Sequence, residues 1–443
     1  MSSGNDSKSR FGKLRKGIAL IRTPIGRIQL LYRFFIMAWP LLAFMTRVCR
    51  RTILRKTIIV VAVGSYGKTT TTRAAGAALQ SKVYGFNRRD SWRFLSRTLL
   101  YPLVFKRFIV LEIRIIKKKE MAEYARIVRP DVVIVTCIGT EHNRAFETLE
   151  TTRSEKAEMI RMLSESGIAI LNGDDPNVLW MKSQTRAKVI TFGIQETNDV
   201  WASDVRLDWP HGTRFNLHLD GESYDMKTQL IGRHMVYPIL AAAAVAHAEG
   251  LSTEQFLPSL IELTPTPGRI QPVFLENGVT LLRDDFKSSL ETIDSALDVL
   301  AEVPAGRKII VLGEVNEVPG SSGLVYRRIG ERIARIAKHV IFVGGKKGFQ
   351  KYRSGASQVI GESPSLFTYA QKDILHAVDI LHSILVANDV ILIKGRVSQR
   401  LERIALALAG RAVKCNILSC DAWVRCERCP MLERGWKGSA VVL

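Results

Sequence analysis

The sequence predicts an α/β protein: a central phosphate-loop domain on a mainly parallel sheet, a smaller Rossmann-like domain after it, and a basic, apolar helical arm in front. Three observations carry this expectation. The apolar run Ile58 to Val63 opens directly into a glycine loop followed by Lys68 and Thr69. Strand-like and helix-like stretches then alternate to about Leu171, and a second alternating series begins near Val279, the pattern of parallel sheets covered by helices. The first 56 residues hold thirteen Lys or Arg and one acid, Asp6. At roughly 100–200 residues per domain, a chain of 443 residues that is 47% hydrophobic and 24% charged can build about three domains, which excludes wholesale disorder and a small disulfide scaffold. The boundaries fall at 1–56 (arm), 57–268 (central domain), 269–410 (second Rossmann-like domain) and 411–443 (cysteine-rich tail).

The charge is uneven. Of a net +22, the arm carries +12. Within it, Phe34 to Thr46 is free of charge, while Lys8, Arg10, Lys13, Arg15, Lys16, Arg22 and Arg27 precede it and Arg47, Arg50, Arg51, Arg55 and Lys56 follow. A spanning helix needs about twenty apolar residues, and cations on both flanks argue against crossing. Pro40 should kink a helix in the middle. The segment is therefore expected to lie on, or dip into, an anionic cytoplasmic leaflet, the alternative being a helix packed on the protein's own core. No nucleic-acid-binding motif accompanies the charge, so no nucleic-acid partner is expected. No cleavable signal peptide is visible, and six cysteines in so long a chain suit a reducing, cytoplasmic compartment.

The loop itself reads Gly64-Ser65-Tyr66-Gly67-Lys68-Thr69-Thr70, with Ala62 where the usual phosphate-loop pattern has its first glycine. Strand, loop and Ala-rich helix together make a nucleotide site: backbone amides cradle phosphates, Lys68 neutralises them, and the Thr69 hydroxyl reaches Mg²⁺. Strands are expected at Phe108–Ile113, Val132–Thr136 and Ile168–Leu171, helices at Met121–Val128 and Ser154–Leu163. Glu112, His142 and Lys156 then fall at strand ends or the next helix start, where α/β chemistry collects. With the phosphate loop they make a Mg²⁺ and phosphate constellation, since hard cations take carboxylate and hydroxyl oxygens.

These residues resemble the Mur ligases. The resemblance runs through Val63 to Thr71, Leu111-Glu112-Ile113, Ile138 to His142, Lys156-Ala157-Glu158 and Leu171 to Asp175. It continues through Gly232-Arg233-His234, Pro267-Gly268-Arg269, Asp284-Asp285, Val311 to Glu314 and Ile393 to Arg396, ending at Glu402. Within the family the chain is most similar to the branch that adds D-alanyl-D-alanine to UDP-N-acetylmuramoyl-tripeptide. The resemblance implies an ATP-dependent amide ligase of peptidoglycan precursor synthesis that joins a small-molecule or peptide carboxylate to an amine through an acyl phosphate, releasing ADP and phosphate. It implies that Thr69 and Glu112 hold one Mg²⁺, and that His142 and Lys156 lie at a second, the lysine being carbamylated in several members. It implies further that Arg269 and Asp285 meet the nucleotide, and that Lys394 and Arg396 serve the second substrate.

The departures are as informative. His234-Met235-Val236-Tyr237-Pro238 lacks the family's asparagines on the adenine side, and Phe286-Lys287-Ser288-Ser289-Leu290 replaces the family's loop after Asp285. The family's separate UDP-sugar domain is too large for the 56-residue arm, so the carboxylate is expected to be gripped differently or to be another one presented at the membrane. Two alternatives stay open: a folylpolyglutamate or poly-γ-glutamate synthetase-like ligase, or a nucleotide-binding scaffold without turnover. In the tail, Cys415, Cys420, Cys426 and Cys429 could bind Zn²⁺, the alternatives being an iron–sulfur cluster or plain thiols.

Overall fold

The computed structural model describes residues 23–100, 107–140, 143–318, 321–361, 366–371, 373–422, 424–436 and 440–441. His142 and the first 22 residues therefore lie outside the described residues.

Two sheets carry the body. The first has nine strands: β1 Ile58–Val63, β2 Val83–Phe86, β3 Phe108–Ile113, β4 Val132–Val135, β5 Ile168–Asn172, β6 Lys188–Gly193, β7 Val200–Asp208, β8 Gly212–Leu219 and β9 Glu222–Thr228. Their order is β2-β3-β1-β4-β5-β6-β7-β8-β9, parallel through β7 and antiparallel beyond. Helices cover both faces, so β1, β3 and β4 are buried almost end to end, which is why they read as unbroken apolar runs. β1 sits between β3 and β4, with Ala62 beside Glu112 and Val63 beside Val135. The chain leaves β1 toward one edge and later fills the other side, a switch point whose crevice opens at the carboxyl ends of the strands.

The helix Lys68–Ala78 starts on Gly67, whose φ is +79°. Its Ala74, Ala75 and Ala78 face the wholly buried alanines of the helix Val236–Ala248, and such small side chains let the two backbones approach closely. The second sheet has the order β10-β11-β15-β12-β13-β14, from β10 Gln271–Phe274, β11 Thr280–Asp284, β12 Lys308–Leu312, β13 His339–Phe342, β14 Phe367–Tyr369 and β15 Val390–Lys394, parallel except for β10.

The arm is a bent pair of helices, Pro24–Met37 and Trp39–Arg51, turning by 68°. Pro40 stands in the first turn of the second helix, so the expected kink is a full break followed by a new start. The alternative expectation, packing on the protein's own core, holds in part. Trp39 donates to Glu123 Oε1 at 2.6 Å and meets the rings of Phe86 and Tyr124 edge-on, while the opposite side is exposed. Other differences are local. The helix expected from Ser154 begins at Leu149, because Thr148 caps it by accepting from Thr151 N at 3.1 Å. The antiparallel β7–β9 and the helix Lys346–Ile360 had no counterpart in the sequence-based expectation.

Candidate active site

The phosphate loop is wedged between β1 and β4. Gly64 has φ +140°, and a Cβ built on it would stand 2.0 Å from Thr136 Oγ1. That hydroxyl donates to the Tyr66 carbonyl at 2.5 Å. Ser65 Oγ exchanges hydrogen bonds with the backbone of Gly139, at 3.2 Å to its carbonyl and 3.0 Å from its N–H. Only glycine fits the first position, and the loop shape is fixed by the neighbouring strand end.

Cations gather on this loop. Lys68 Nζ donates to the Gly64 carbonyl at 2.5 Å and to Ser65 O at 3.1 Å. Lys156, 3% exposed, donates to Gly64 O at 2.6 Å from the helix Leu149–Arg161. As an ammonium it cannot ligate a metal, and its partner here is the loop. Thr69 Oγ1 donates to Glu112 Oε1 at 3.1 Å. Glu112 also takes both forks of Arg114, at 2.9 and 3.0 Å. Burial works to raise the Glu112 carboxyl, but Arg114, Lys68 and the Thr69 hydroxyl together hold it below the usual carboxylate range.

The second sheet closes over the loop through the stretch that departs from the family pattern. Lys287 Nζ donates to Ser65 O at 3.1 Å and sits 4.7 Å from the centre of the Tyr66 ring. Glu291 accepts from Tyr66 OH at 2.8 Å, and from Thr140 N and Oγ1 at 2.9 and 2.6 Å. Burial, reinforced by Glu291, pushes the Tyr66 phenol up, so it stays protonated and donates. Lys287 and Glu291 were not singled out from the sequence as site residues; the only signal was that this stretch breaks the family pattern.

Behind the clasp, Lys394 is 1% exposed and donates to Asp284 Oδ2 at 2.7 Å, Lys287 O at 2.6 Å and Thr292 Oγ1 at 3.1 Å. Burial lowers its pKa against the pull of Asp284. Lys394 thus holds the loop that carries Lys287. Arg396 instead pairs with Glu314. His234 is half-buried, with desolvation lowering its pKa and Asp284, Lys394 and Asp298 within electrostatic range. Asp285 is fully buried between Arg283 Nε at 2.9 Å and Arg425 Nη2 at 3.0 Å. Burial pushes its carboxyl up to about 6 against both guanidiniums. Arg269 lies 4.6 Å from the centre of the Phe286 ring, next to Asp285.

Arg425 comes from the tail, and nothing in the cysteine pattern announced it. Besides Asp285 it donates to Pro267 O at 3.1 Å, at the junction between the two sheets. The four tail cysteines line one small cavity together with Arg400 and Arg403. Among the described residues, however, no three His, Cys, Asp or Glu side chains converge on a metal position, so the tetrahedral thiolate site expected as one option is not formed. Burial pushes the Cys426 and Cys429 thiols up, which keeps them protonated and poor metal ligands.

The residues around the loop suit a magnesium nucleotide. The cradle excludes even a methyl group at Gly64, a helix N-terminus points into it, and Thr69 with Glu112 offers two hard oxygen donors side by side. The remaining coordination would come from phosphate oxygens and water.

Comparison with known proteins agrees with this geometry. The model of the Mur ligase middle domain matches residues 63–246, and that of the Mur ligase, glutamate ligase domain matches residues 268–397. The UDP-N-acetylmuramoyl-tripeptide–D-alanyl-D-alanine ligase of Escherichia coli is 28% identical over 356 residues, 79% of this chain and 76% of that one. Its Mycobacterium tuberculosis counterpart is 30% identical over 256 residues, where the match spans 56% of this chain and half of the relative. Among solved structures, MurF from Acinetobacter baumannii superimposes with a TM-score of 0.71 at 21% identity, covering 84% of this chain and 80% of that one. MurF from Thermotoga maritima in complex with ADP gives 0.69 at 22% identity, covering 83% of each. A phosphate loop clasped by a second sheet, with both characteristic domains matched in order, identifies the chain as a member of the Mur ligase family, an ATP-dependent carbon–nitrogen ligase.

Proposed function

We propose that the protein joins a carboxylate to an amine in peptidoglycan precursor synthesis, with UDP-N-acetylmuramoyl-tripeptide and D-alanyl-D-alanine as the substrate pair. One observation carries the reading: Lys68 from the phosphate loop and Lys287 from the second sheet both donate to the Ser65 carbonyl, each at 3.1 Å. Two cations from opposite lobes therefore meet where a terminal phosphate would lie. In the reaction a carboxylate oxygen attacks the γ-phosphorus and ADP leaves; the amine nitrogen then attacks the acyl carbon, phosphate leaves and the amide forms. Lys68 and Lys287 offset charge on the transferred group, and Lys156 fixes the loop from beneath. Glu291, by tying Tyr66 and Thr140 together, holds the lobes closed and keeps water from the acyl phosphate. Thr69 and Glu112 would hold magnesium, which would supply further neutralisation of the phosphates, and the family resemblance alone assigns His142 to it. Arg269 and Asp285 serve the nucleotide, Lys394 orients the amine-side loop, and Arg396 borders the amine site. In this reading residues 57–268 form the ATP-binding domain and 269–410 the ligase domain.

A peripheral address at the inner face of the cell membrane stands beside this reading and is independent of it.

The test is ADP release by the purified protein with Mg²⁺-ATP. Stimulation by the muramoyl tripeptide plus D-alanyl-D-alanine supports the reading. Stimulation only by folate and glutamate acceptors moves the chain to a folylpolyglutamate-type ligase; nucleotide binding with no acceptor response leaves a scaffold.

A further inference from the structure

The bent helix pair has two unlike sides. Ile25, Gln29 and Tyr32 of the first helix, and Trp39, Ala43, Thr46 and Cys49 of the second, are buried against the protein. Phe35 stacks on Trp92 with ring centres 4.5 Å apart, and Arg50 clamps Asp131 at 2.7 Å. The outer side should then be polar in a soluble protein. Instead it presents Leu30, Phe34 and Met37, spaced four and three apart, and Leu41, Phe44 and Val48, spaced three and four apart, with Leu31 alongside. Such spacing puts each set on one face of its helix. Phe34 and Phe44 are 62% and 61% exposed and Met37 is 81% exposed. Scattered exposed apolar residues are ordinary, but aligned stripes mark a surface that meets something apolar.

The charges name the occupant. From Thr23 to Lys56 there is no acid, and Arg27, Arg33, Arg47, Arg51, Arg55 and Lys56 are all exposed. A second copy seated on this face would bring the two sets of arginines together with no acid in the segment to separate them. Anionic lipid headgroups instead complement the arginines, while acyl chains receive the apolar stripes. No single helix among the described residues is long and apolar enough to cross a membrane. The 14- and 13-residue helices extend about 20 Å each at about 1.5 Å per residue, short of the roughly 30 Å hydrocarbon core.

We propose that the helices Pro24–Met37 and Trp39–Arg51 seat the protein in the plane of an anionic bilayer surface, with Leu30, Phe34, Met37, Leu41, Phe44 and Val48 inserted and the flanking arginines on headgroups. The proposal does not depend on the ligase reading, because membrane seating requires no nucleotide or acceptor.

Co-sedimentation of the full chain with phosphatidylglycerol-containing vesicles and with pure phosphatidylcholine vesicles tests it. The expected result is binding to the anionic vesicles, weakened by salt, and reduced about tenfold or more by Phe34→Ser with Phe44→Ser. Arg33→Ala with Arg47→Ala should weaken binding without removing it. An unchanged thermal midpoint for each pair shows that the fold is intact. Equal binding by wild type and the Phe34→Ser, Phe44→Ser variant, or no binding to anionic vesicles, overturns the proposal. So does concentration-dependent dimerisation without lipid that the same pair abolishes, which would assign the face to a second copy.

Discussion

Replacing Gly64 with alanine examines the geometry of the phosphate loop directly. At φ +140° the new side chain enters a region that essentially only glycine occupies, at a cost of about 1–3 kcal/mol. Its Cβ would also stand 2.0 Å from Thr136 Oγ1 and 3.1 Å from the backbone N and O of Cys137. The hydroxyl must swing away, giving up the single hydrogen bond it donates, to Tyr66 O at 2.5 Å, worth about 0.5–1.5 kcal/mol net. The sum is about 1.5–4.5 kcal/mol, a large share of a typical unfolding free energy of about 5–15 kcal/mol. Urea titration reads the stability loss, and calorimetry with Mg²⁺-ADP reads the loss of nucleotide binding. The decisive comparison is Gly64→Ala in a Thr136→Ala background, where the hydroxyl is already gone. There the added cost should fall by about 0.5–1.5 kcal/mol, leaving backbone strain. An identical cost in both backgrounds, or wild-type nucleotide affinity in Gly64→Ala, would refute the reasoning.

Three further outcomes are expected. Lys287→Ala should lower kcat/KM for ATP-dependent product formation by about a hundredfold through loss of a preorganised cation, with Lys287→Arg partly restoring it; steady-state kinetics decide. Arg425→Ala should cost about 1.5–3 kcal/mol in urea unfolding, the range for a hydrogen bond to a charged group, and raise the KM for ATP; an unchanged KM would confine Arg425 to stability. Asp285, pushed up to about 6 in the fold against about 3.9 unfolded, holds a proton in the folded state that the unfolded chain releases between those values. Its contribution to stability therefore falls as pH rises from about 4 to about 6, and unfolding free energies of Asp285→Asn measured across that window should lack this component.

The parts of the site that are local in the chain were legible. β1 and the phosphate loop are contiguous, and burial on both faces turns β1 into an unbroken apolar run. Glu112 and Lys156 could be placed because each lies at a strand end or in a helix beside the loop. Helix starts were less legible: after Leu149 the helix Leu149–Arg161 has no apolar residue from Glu150 to Lys156, so its apolar spacing becomes visible only further along. The outer strands β7 to β9 alternate buried residues with Arg206, Arg214 and Lys227, which hides them among loops of similar composition. The clasp was not legible at all. Lys287 and Ser65 are 222 positions apart and Arg425 and Asp285 are 140 apart, and no periodicity or spacing announces a contact that only the closing of two lobes creates.

The positive charge at the two ends of the chain has more than one use, and burial separates them. Arg50 donates to Asp131, to the carbonyls of Val128 and Arg129 on one side, and to those of Leu54 and Thr57 on the other. Asp131 in turn accepts from Ile59 N at 2.7 Å, so the arm is bolted to the strand that leads into the phosphate loop. Arg400 and Arg403 do the same for the tail, reaching the carbonyls of Cys420, Ala422, Cys415 and Ile417. A planar guanidinium with five donors can satisfy several carbonyls where irregular chain meets the body, which a lysine ammonium with three cannot match. These three arginines are thus committed to the fold and unavailable to lipid. The arm's attraction to a bilayer is then smaller than its net charge suggests, and its affinity should rest chiefly on the exposed leucines, phenylalanines and methionine, with exposed arginines selecting which membrane is met.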